Sequence, residues 1–334
     1  RQTLAVVPHG SKTQNLATCI KNSRCWKSLK VLKLKKNMRA NFAIVNADNL
    51  PDFSEWLLQL GDGLLHEDDL PDGIFEIPPI CVVKGEENST PIDDICNAIF
   101  PKEIKPEEIS LIANRAILTP INEDSLKIGE KILKRLQPEL PTTNFSIDSI
   151  ALDGANNEEN ENYSLEFLNS LTLGGMPPHE MNLKIGAVVI LLRNLDPSRA
   201  LCNGTRMVVK QMMTRLIDCE VLTGSSKGIR VFVPRIILAL SESELPFILK
   251  RKQFPIRLAF AMTINKSQGQ TLDQVGIYLP APVFSHGQLY TAFSRTKSFQ
   301  QVKVKVLPTD EQGKLLNNER VFTKNVVYKE VFVE

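Results

Sequence analysis

Four short β-rich runs in the middle of the 334-residue chain constrain its fold more than any other feature. They are Ala187–Leu192, Arg206–Gln211, Leu216–Leu222 and Ile229–Ile237. Pro197, Gly204 and a glycine-bounded loop at 224–228 separate them, and no helical pattern lies between them. Short strands at such close spacing are typical of a small antiparallel barrel. The sequence therefore predicts a compact β-barrel at 171–249.

Strand and helix patterns alternate on both sides of this predicted barrel. Before it, an apolar strand ends at Pro120, and Asn122 caps a helix that continues to about Leu136. After it, a helix capped by Ser285 runs through about Ser294. The predicted strands of this part are Arg115–Thr119, Pro255–Met262, Val275–Leu279 and Val302–Leu307. Because this alternation is the α/β pattern, we expect one discontinuous α/β domain, formed by 1–170 and 250–334, with the barrel inserted in it.

The charges are unevenly distributed along the chain, although the formal net charge is only +2. Residues 1–40 contain ten Lys or Arg and no Asp or Glu, whereas residues 41–108 contain sixteen acids and three lysines. The basic block suits either a polyanion such as nucleic acid or an ordinary solvated surface. The acidic stretch is rich in proline, so we expect an irregular surface insertion at about 46–108, with one short helix at Glu55–Leu60.

Composition narrows the class of protein. Apolar residues make up 43% and charged residues 23%, which is ordinary for a soluble globular protein, and no uncharged apolar run is long enough to cross a membrane. The six cysteines and four histidines do not stand at zinc-ligand spacing. We therefore expect an intracellular protein with incidental thiols in a reducing compartment, no metal site and no membrane partner.

Two polar segments carry the candidate chemistry: AFAMTINKSQGQTL at 259–272 and VFSHGQLYTAFSRTKS at 283–298. In the first, hydroxyl, amide and ammonium groups follow an apolar strand in the order Thr263, Asn265, Lys266, Ser267 and Gln268, and then Gly269. Such donors suit a phosphodiester backbone, and glycine permits close approach, but an ordinary polar loop has the same composition. The second segment is a helix that ends at Arg295, which either complements the helix dipole or reaches a phosphate.

The two segments closely resemble motifs V and VI of the Pif-type (petite integration frequency) DNA helicases of superfamily one. The sequence KSQGQT followed by FSHGQLYTAFSR is most similar to the motifs of the branch of this family that Helitron transposons carry. Further segments that resemble motifs of this family, in the same order, are RQTLAVVPHGS at 1–11, LKKNMR at 34–39, AILTPIN at 116–122 and LLRNLDPSRALCNGT at 191–205. The resemblance implies a RecA-like second motor domain, with a parallel sheet and flanking helices, and an inserted small SH3-like β-barrel.

The resemblance also implies roles for individual residues. Gln2 would sense the γ-phosphate or the attacking water, and Arg39 and Arg295 would be cationic clamps on the γ-phosphate, as arginine fingers are. Gln268 and Gly269 would lie against the nucleotide. The residues implied to hold the DNA backbone are Thr119, Asn122, Thr263, Asn265, Lys266 and Ser267. The barrel would help to grip single strands or a duplex junction.

Two elements of an ATP-hydrolysing site do not occur in the sequence. There is no G-x-x-x-x-G-K-[ST] loop to cradle phosphates, and no apolar strand ends in Asp-Glu to hold Mg²⁺. In the family both belong to the first motor domain. We therefore expect the C-terminal half of an ATP-dependent 5′-to-3′ DNA helicase, inactive by itself, whose full-length parent uses ATP and Mg²⁺. The direction follows from the resemblance only, and a natural transposon remnant would have the same sequence.

A catalytically inert, helicase-derived module that binds single-stranded DNA is the alternative function, and a structural protein with incidental polar loops is the third. The expected partners are single-stranded DNA, forked or structured DNA and the first motor domain. We expect a monomer, in the nucleus rather than the mitochondrion. Repair, recombination, telomere maintenance and transposition are all compatible with the family.

Overall fold

The computed structural model describes residues 1–4, 7, 10–30, 32, 51–137, 140–151, 163–199, 201–224, 226–239 and 245–332. The candidate Arg39 and the first residues of the predicted insertion, 46–50, lie outside this part of the chain. The helices are α1 (Lys12–Ala17), α2 (Phe53–Asp62), α3 (Pro91–Ile99), α4 (Ile109–Ile112), α5 (Asn122–Arg135), α6 (Leu165–Ser170) and α7 (Gln288–Phe293). The strands are β1 (Ile74–Glu76), β2 (Arg115–Thr119), β3 (Thr142–Phe145), β4 (Ile147–Ile150), β5 (Glu180–Leu183), β6 (Val188–Leu191), β7 (Arg206–Met212), β8 (Leu216–Val221), β9 (Arg230–Pro234), β10 (Ile236–Ala239), β11 (Leu249–Gln253), β12 (Ile256–Leu258), β13 (Ala261–Thr263), β14 (Gln274–Leu279), β15 (Val302–Val306) and β16 (Phe322–Lys324).

The chain divides into two compact units. The first is formed by 1–100, 115–125 and 262–334, and the second by 101–114 and 126–261. The chain therefore passes between the units four times, after residues 100, 114, 125 and 261, where two crossings were expected. Among the helices that the structure describes, none has the length and apolarity needed to span a bilayer.

The sheet of the first unit has the strand order β13-β2-β14-β15. β14 pairs in parallel with β2, where Ile117 lies opposite Gly276, and in parallel with β15, where Val275 lies opposite Val302. Ala116, Ile117 and Leu118 of β2 are fully buried, as is usual for parallel strands covered on both faces. The predicted α/β architecture with a parallel sheet is confirmed.

Residues 51–100 correct the expectation of an irregular surface insertion at about 46–108. Thr90 caps α3, Pro91 occupies its first turn, and the helix buries Ile95 and Ile99. α3 packs on β14 and β15, and Gly276 permits this because a Cβ there would lie 2.9 Å from Cγ1 of Ile99. The acidic residues of this stretch, such as the exposed Glu55, share amphipathic elements with core residues, so composition alone was misleading.

α2 brings an aromatic cluster to the candidate site. Asp52 caps the helix, which ends at Gly63 in the left-handed conformation (φ 70°), a region that glycine adopts without strain. The ring of Trp56 lies edge-on to Phe293 at 5.0 Å and to Phe299 at 5.1 Å. Because Phe293 is the last residue of α7, this cluster fixes the helix that carries the second polar segment. The predicted helix at Glu55–Leu60 is confirmed within α2.

The second unit is built from antiparallel strands. Its largest sheet has the order β12-β6-β7-β8-β9, a second has the order β10-β11-β4, and β3 pairs with β5. All four predicted β-rich runs form strands, with the last run divided between β9 and β10. The unit is wider than the predicted 171–249. β3 and β12 lie outside that range and pair with β5 and β6 inside it, and β4 pairs with β11, of which only Leu249 lies within the range. Since β12 and β9 are opposite edges in the strand order, closure into an SH3-like barrel stays a prediction.

The predicted strand at Pro255–Met262 is divided in the structure. β12 pairs antiparallel with β6 in the second unit, and β13 lies beside β2 in the parallel sheet. The interruption at Ala259–Phe260 is apolar and buried, so hydrophobicity alone does not reveal it.

A buried ion pair holds the second unit together. The side chains of Arg251 and Asp148 are both inaccessible to solvent, and Nη2 of Arg251 lies 2.6 Å from Oδ2 of Asp148. Nη1 also donates to the carbonyl oxygens of Leu171 at 3.0 Å and Pro177 at 3.1 Å. The guanidinium therefore joins β11 to β4 and to the segment that follows α6, and it meets acceptors on several sides, as a buried charge requires.

Candidate nucleic-acid interface

The first polar segment forms a tight loop after β13. A single turn of 3-10 helix covers Ile264–Ser267, and Gln268 (φ −56°, ψ 135°) and Gly269 (φ 81°) then form a type II β-turn. The N–H of Gln270 donates to the carbonyl of Ser267 at 3.0 Å and closes the turn. Glycine is needed at 269 for its positive φ, and a Cβ there would meet nothing within 4 Å. The tip of the turn therefore has space for a ligand.

Two of the predicted DNA-contacting hydroxyls point inward. Thr119 and Ser267 are fully buried. The Thr119 hydroxyl donates to the carbonyl of Ile121, and the Ser267 hydroxyl donates to the carbonyl of Ile264, both at 2.7 Å. These two side chains stabilise the local backbone. A ligand would therefore contact the residues next to them instead of Thr119 and Ser267.

The other predicted DNA-contacting residues remain accessible. Asn122, Thr263, Asn265 and Lys266 are half-buried. Gln268 and Gly269, which were predicted to lie against the nucleotide, are exposed. The 3-10 turn contacts β2 and α7, which places the end of β2 and the loop on the same part of the first unit. The accessible group thus combines one ammonium with amide and hydroxyl groups, a set that can donate to phosphate oxygens.

Gln288 connects the two polar segments, a role that could not be predicted from the sequence. Its side-chain oxygen accepts the N–H groups of Phe284 and Ser285, each at 3.1 Å, and its amide nitrogen lies 3.4 Å from Oδ1 of Asn265. The expected Ser285 cap is corrected by this arrangement. α7 begins at Gln288 after Gly287 (φ 72°), because Gln288 itself satisfies the preceding amides.

Arg295 is buried against the back of the loop, with 2% of its surface exposed. Nη1 donates to the carbonyl oxygens of Ser267 at 3.2 Å and Gln270 at 3.0 Å, the two ends of the type II turn. Nε donates to the carbonyl of Thr291 at 2.8 Å, and Nη2 donates to the hydroxyl of Ser294 at 2.7 Å. The guanidinium therefore braces the loop from inside.

Gln2 lies on the other side of the same loop. The side-chain amide of Gln268 donates to Oε1 of Gln2 at 2.7 Å, and Thr3 donates its hydroxyl to Oε1 of Gln268 at 3.2 Å. Gly287 allows the first residues to lie this close, because a Cβ there would collide with the carbonyl oxygen of Arg1. The structure thus brings together Gln2, Gln268, Gly269 and, through the backbone of the loop, Arg295.

These residues do not by themselves fit a bound ATP–Mg²⁺. In the described ranges, no three His, Cys, Asp or Glu side chains are grouped as metal ligands. The donors of Arg295 that the structure places are directed to carbonyl and hydroxyl oxygens of the protein rather than outward. The described residues therefore provide an accessible polar loop and a buried brace.

Comparison with known proteins agrees with the motif order. The sequence model of the PIF1-like helicase family matches residues 1–70, and that of the 2B domain of DNA helicase Pif1 matches residues 166–212. The chain is 41% identical to the human ATP-dependent DNA helicase PIF1 over 127 residues, which are 37% of this chain and 19% of the human protein. It is 33% identical over 172 residues to the ATP-dependent DNA helicase Pif1 of Bdellovibrio bacteriovorus, covering 51% of this chain and 35% of that protein.

A solved structure supports the fold. The crystal structure of the Pif1 helicase from Candida albicans superimposes with a TM-score of 0.52 at 22% identity, over 86% of this chain and 60% of that chain. This chain covers between about a fifth and about a third of the length of the two curated relatives named above. The ordered motifs, the two family matches and these relatives support similarity to the Pif1-type helicases.

Proposed function

We propose that this chain is the single-strand-gripping C-terminal half of an ATP-dependent DNA helicase that moves 5′ to 3′. The observation that carries the proposal is the loop Thr263–Gly269, whose type II turn has an open tip beside the accessible Lys266 and Asn265. Side chains of this kind hold a phosphate backbone without reading bases. The named relatives are ATP-dependent DNA helicases, and they match this chain over only part of their length.

In the full-length parent, ATP and Mg²⁺ would bind with a first motor domain that supplies the phosphate-cradling loop. Gln2 and Arg39 are the residues of this chain that we assign to the nucleotide side. We also propose a monomer located in the nucleus, and forked DNA as the natural substrate. An SH3-like closure of the second unit would add a further contact to single strands.

The second candidate function is an inert, helicase-derived module that binds single-stranded DNA. The inward orientation of Arg295 favours it, because a guanidinium that donates to Ser267 and Gln270 is not poised over a phosphate. Both candidates require single-strand binding, and they differ in whether a first motor domain adds ATP turnover.

The experiment measures two properties of the purified 334-residue chain, the affinity for unstructured single-stranded DNA of several sequences and ATP turnover with that DNA present. We expect salt-dependent binding with little sequence preference and no turnover. Absent binding would reject both candidates, and DNA-stimulated turnover would show a nucleotide site within this chain. Fusing the first motor domain of a relative then separates the two candidates, since only the helicase half gains DNA-stimulated turnover.

A further inference from the structure

The sheet β10-β11-β4 of the second unit has one buried and one exposed face. On the buried face, Leu238 and Leu249 pack with Leu168 of α6, beside the ion pair of Arg251 and Asp148. Because successive side chains of a strand point to opposite faces, the alternate positions of the three strands are directed away from this core. These alternate positions form the outer face, and all of them are exposed: Ile147 and Ser149 of β4, Ile237 and Ala239 of β10, and Lys250 and Lys252 of β11.

A row of large side chains crosses the outer face. In the strand register, Ile237 lies opposite Lys252, and Lys252 lies opposite Ile147. Directly opposite residues of antiparallel strands project to the same face about 5 Å apart, so two isoleucines flank one ammonium. Their exposures are 65% for Ile237 and 69% for Ile147. Single exposed apolar residues are ordinary on a protein, whereas two isoleucines in one row of a sheet form a surface that a partner can cover.

Lys250 and Lys252 supply the charge of the outer face. They stand two positions apart on β11, the middle strand, so their side chains leave the sheet on the same side about 7 Å apart. Ala239 and Ser149 lie opposite Lys250, and these short side chains leave the space around its ammonium open. Among the outward positions that the structure describes on these three strands, none is acidic. The outer face therefore has two positive charges and no carboxylate of its own.

We propose that the outer face binds an extended acidic segment of a partner protein, with a carboxylate at every second position. In an extended chain, alternate side chains leave on the same side about 7 Å apart, which matches the spacing of Lys250 and Lys252. Two successive carboxylates of the series meet the two ammonium groups, and the methylene groups of the same side chains lie against Ile147 and Ile237. Charge complementarity sets the position of the segment, and burial of the apolar groups adds affinity.

The aliphatic residues of the outer face favour a peptide over a nucleic acid. Surfaces that bind nucleic acids are strongly basic, and those for single strands add aromatic or guanidinium groups on which bases stack. The neighbours of Lys252 are isoleucines, which have no flat ring, and the face has only two charges. Phe145, an exposed ring close by in sequence, belongs to β3 and lies against His179 with 5.6 Å between the ring centroids.

The test measures the binding of two fluorescein-labelled synthetic peptides to the purified chain by fluorescence anisotropy. In the first peptide, Glu alternates with Thr, so the carboxylates are two positions apart. The second has the same composition in repeats of Glu-Glu-Thr-Thr, so no two carboxylates are two positions apart. Both peptides have the same charge, and we therefore expect the first to bind more tightly because only its spacing matches Lys250 and Lys252.

Variants at exposed positions locate the binding. Lys250→Gln combined with Lys252→Gln should weaken binding of the first peptide about tenfold, as expected for the loss of two exposed ion pairs. The matched control, Lys134→Gln combined with Lys227→Gln, removes two exposed lysines elsewhere in the second unit and should retain the wild-type affinity.

The contribution of the isoleucines is measured separately. Ile147→Thr combined with Ile237→Thr keeps β-branched side chains in the strands and should weaken binding of the first peptide by about threefold through lost apolar contact. Because both positions are exposed, the free energy of unfolding should stay near the wild-type value.

Three results would overturn the inference. Equal affinity for the two peptides, or no binding of either, would mean that the spacing of Lys250 and Lys252 selects no acidic segment. An equal loss in the Lys134 and Lys227 control would assign the binding to net charge. An equal or larger loss of affinity for an unstructured single-stranded oligonucleotide in the Lys250 and Lys252 variant would assign the face to nucleic acid. The peptide measurements do not depend on DNA binding by the loop Thr263–Gly269, so they can fail while the proposed function holds, and the reverse.

Discussion

The side-chain amide of Gln268 donates to the side-chain oxygen of Gln2 at 2.7 Å, joining residues that are 266 positions apart. Gln2 lies in the segment assigned to the nucleotide side. Gln268, which was also expected to lie against the nucleotide, belongs to the loop that we propose holds DNA. This contact is a direct physical link between the two proposed sites.

In a protein that includes the first motor domain, Gln268→Ala should therefore reduce the stimulation of ATP turnover by single-stranded DNA at least about fivefold, the usual lower range for coupling between sites. The unstimulated rate of ATP turnover should remain near the wild-type value, because Gln268 is not part of the phosphate-cradling loop, which belongs to the first motor domain. Steady-state ATPase assays with and without DNA measure both. The control is Gln300→Ala, at an exposed glutamine outside the loop, and equal effects of the two variants would disprove the link.

Gly269→Ala should destabilise the turn by about 1–2 kcal/mol, because a β-carbon is disfavoured at positive φ. It should also weaken single-strand binding. Gly228, in the loop between β8 and β9 and outside the quoted motifs, is a matched control, since it too has a positive φ (86°) and a Cβ there would meet nothing within 4 Å. Gly228→Ala should cost similar stability and leave DNA affinity unchanged. Urea denaturation measures the stability of each variant, and fluorescence anisotropy measures its affinity for DNA. If both variants lost affinity equally, the loop Thr263–Gly269 would have no special role in binding DNA.

Asp148→Ala should be strongly destabilising, by about 3–5 kcal/mol, because it leaves the Arg251 guanidinium buried without its counter-charge. Replacing both residues with apolar ones of similar volume should recover much of this loss. Arg230→Ala is the comparison, since Arg230 pairs with Asp218 but has a half-exposed side chain, so its loss should destabilise the protein far less. Equal free energies of unfolding for the two single variants would contradict the burial argument.

His286 should make stability depend on pH. Burial lowers the pKa of His286 from 6.5 to about 4. The unfolded chain therefore binds a proton first as pH falls, so stability present above pH 6.5 is lost progressively toward pH 4, by about 3 kcal/mol. Protonation would also remove the Nδ1 acceptor for the Tyr328 N–H.

The check is urea denaturation across this pH range in His286→Phe, which keeps an aromatic ring beside Tyr328 but does not titrate. The variant should have lower stability at neutral pH and a flatter pH profile. His66→Phe, at an exposed position, should keep the wild-type profile. An unchanged profile in His286→Phe would assign the pH dependence to other groups.

Local pattern was enough to predict the parallel sheet. β2 is an apolar run that stops at Pro120, and β14 is an apolar run that follows a polar loop, so length and boundaries identified both. α3 was missed because the wider stretch 41–108 is acidic and rich in proline, although Ile95 and Ile99 stand at helical spacing within it. The division of Pro255–Met262 into two strands could not be predicted, since the choice of sheet depends on partners distant in the chain.

The candidate site shows the same limit. The succession of donors from Thr263 to Gln268 identified the loop, and Gly269 predicted a backbone that needs glycine. The orientation of Arg295 was not predictable, because an arginine after a helix can meet a phosphate or a carbonyl, and only tertiary packing decides which. The same holds for Gln288, whose partners include Asn265 in the other polar segment.

The loop Thr263–Gly269 is proposed to hold the backbone of single-stranded DNA. The most direct measurement is the dissociation constant for a fluorescent, unstructured oligonucleotide over a range of NaCl concentrations, for the wild type, Lys266→Ala and the exposed-lysine control Lys84→Ala. Loss of one phosphate contact should weaken Lys266→Ala and lower the magnitude of its log–log salt slope by about 0.7, with Lys84→Ala unchanged. Wild-type affinity and slope in Lys266→Ala would show that Lys266 does not hold a phosphate of the DNA backbone.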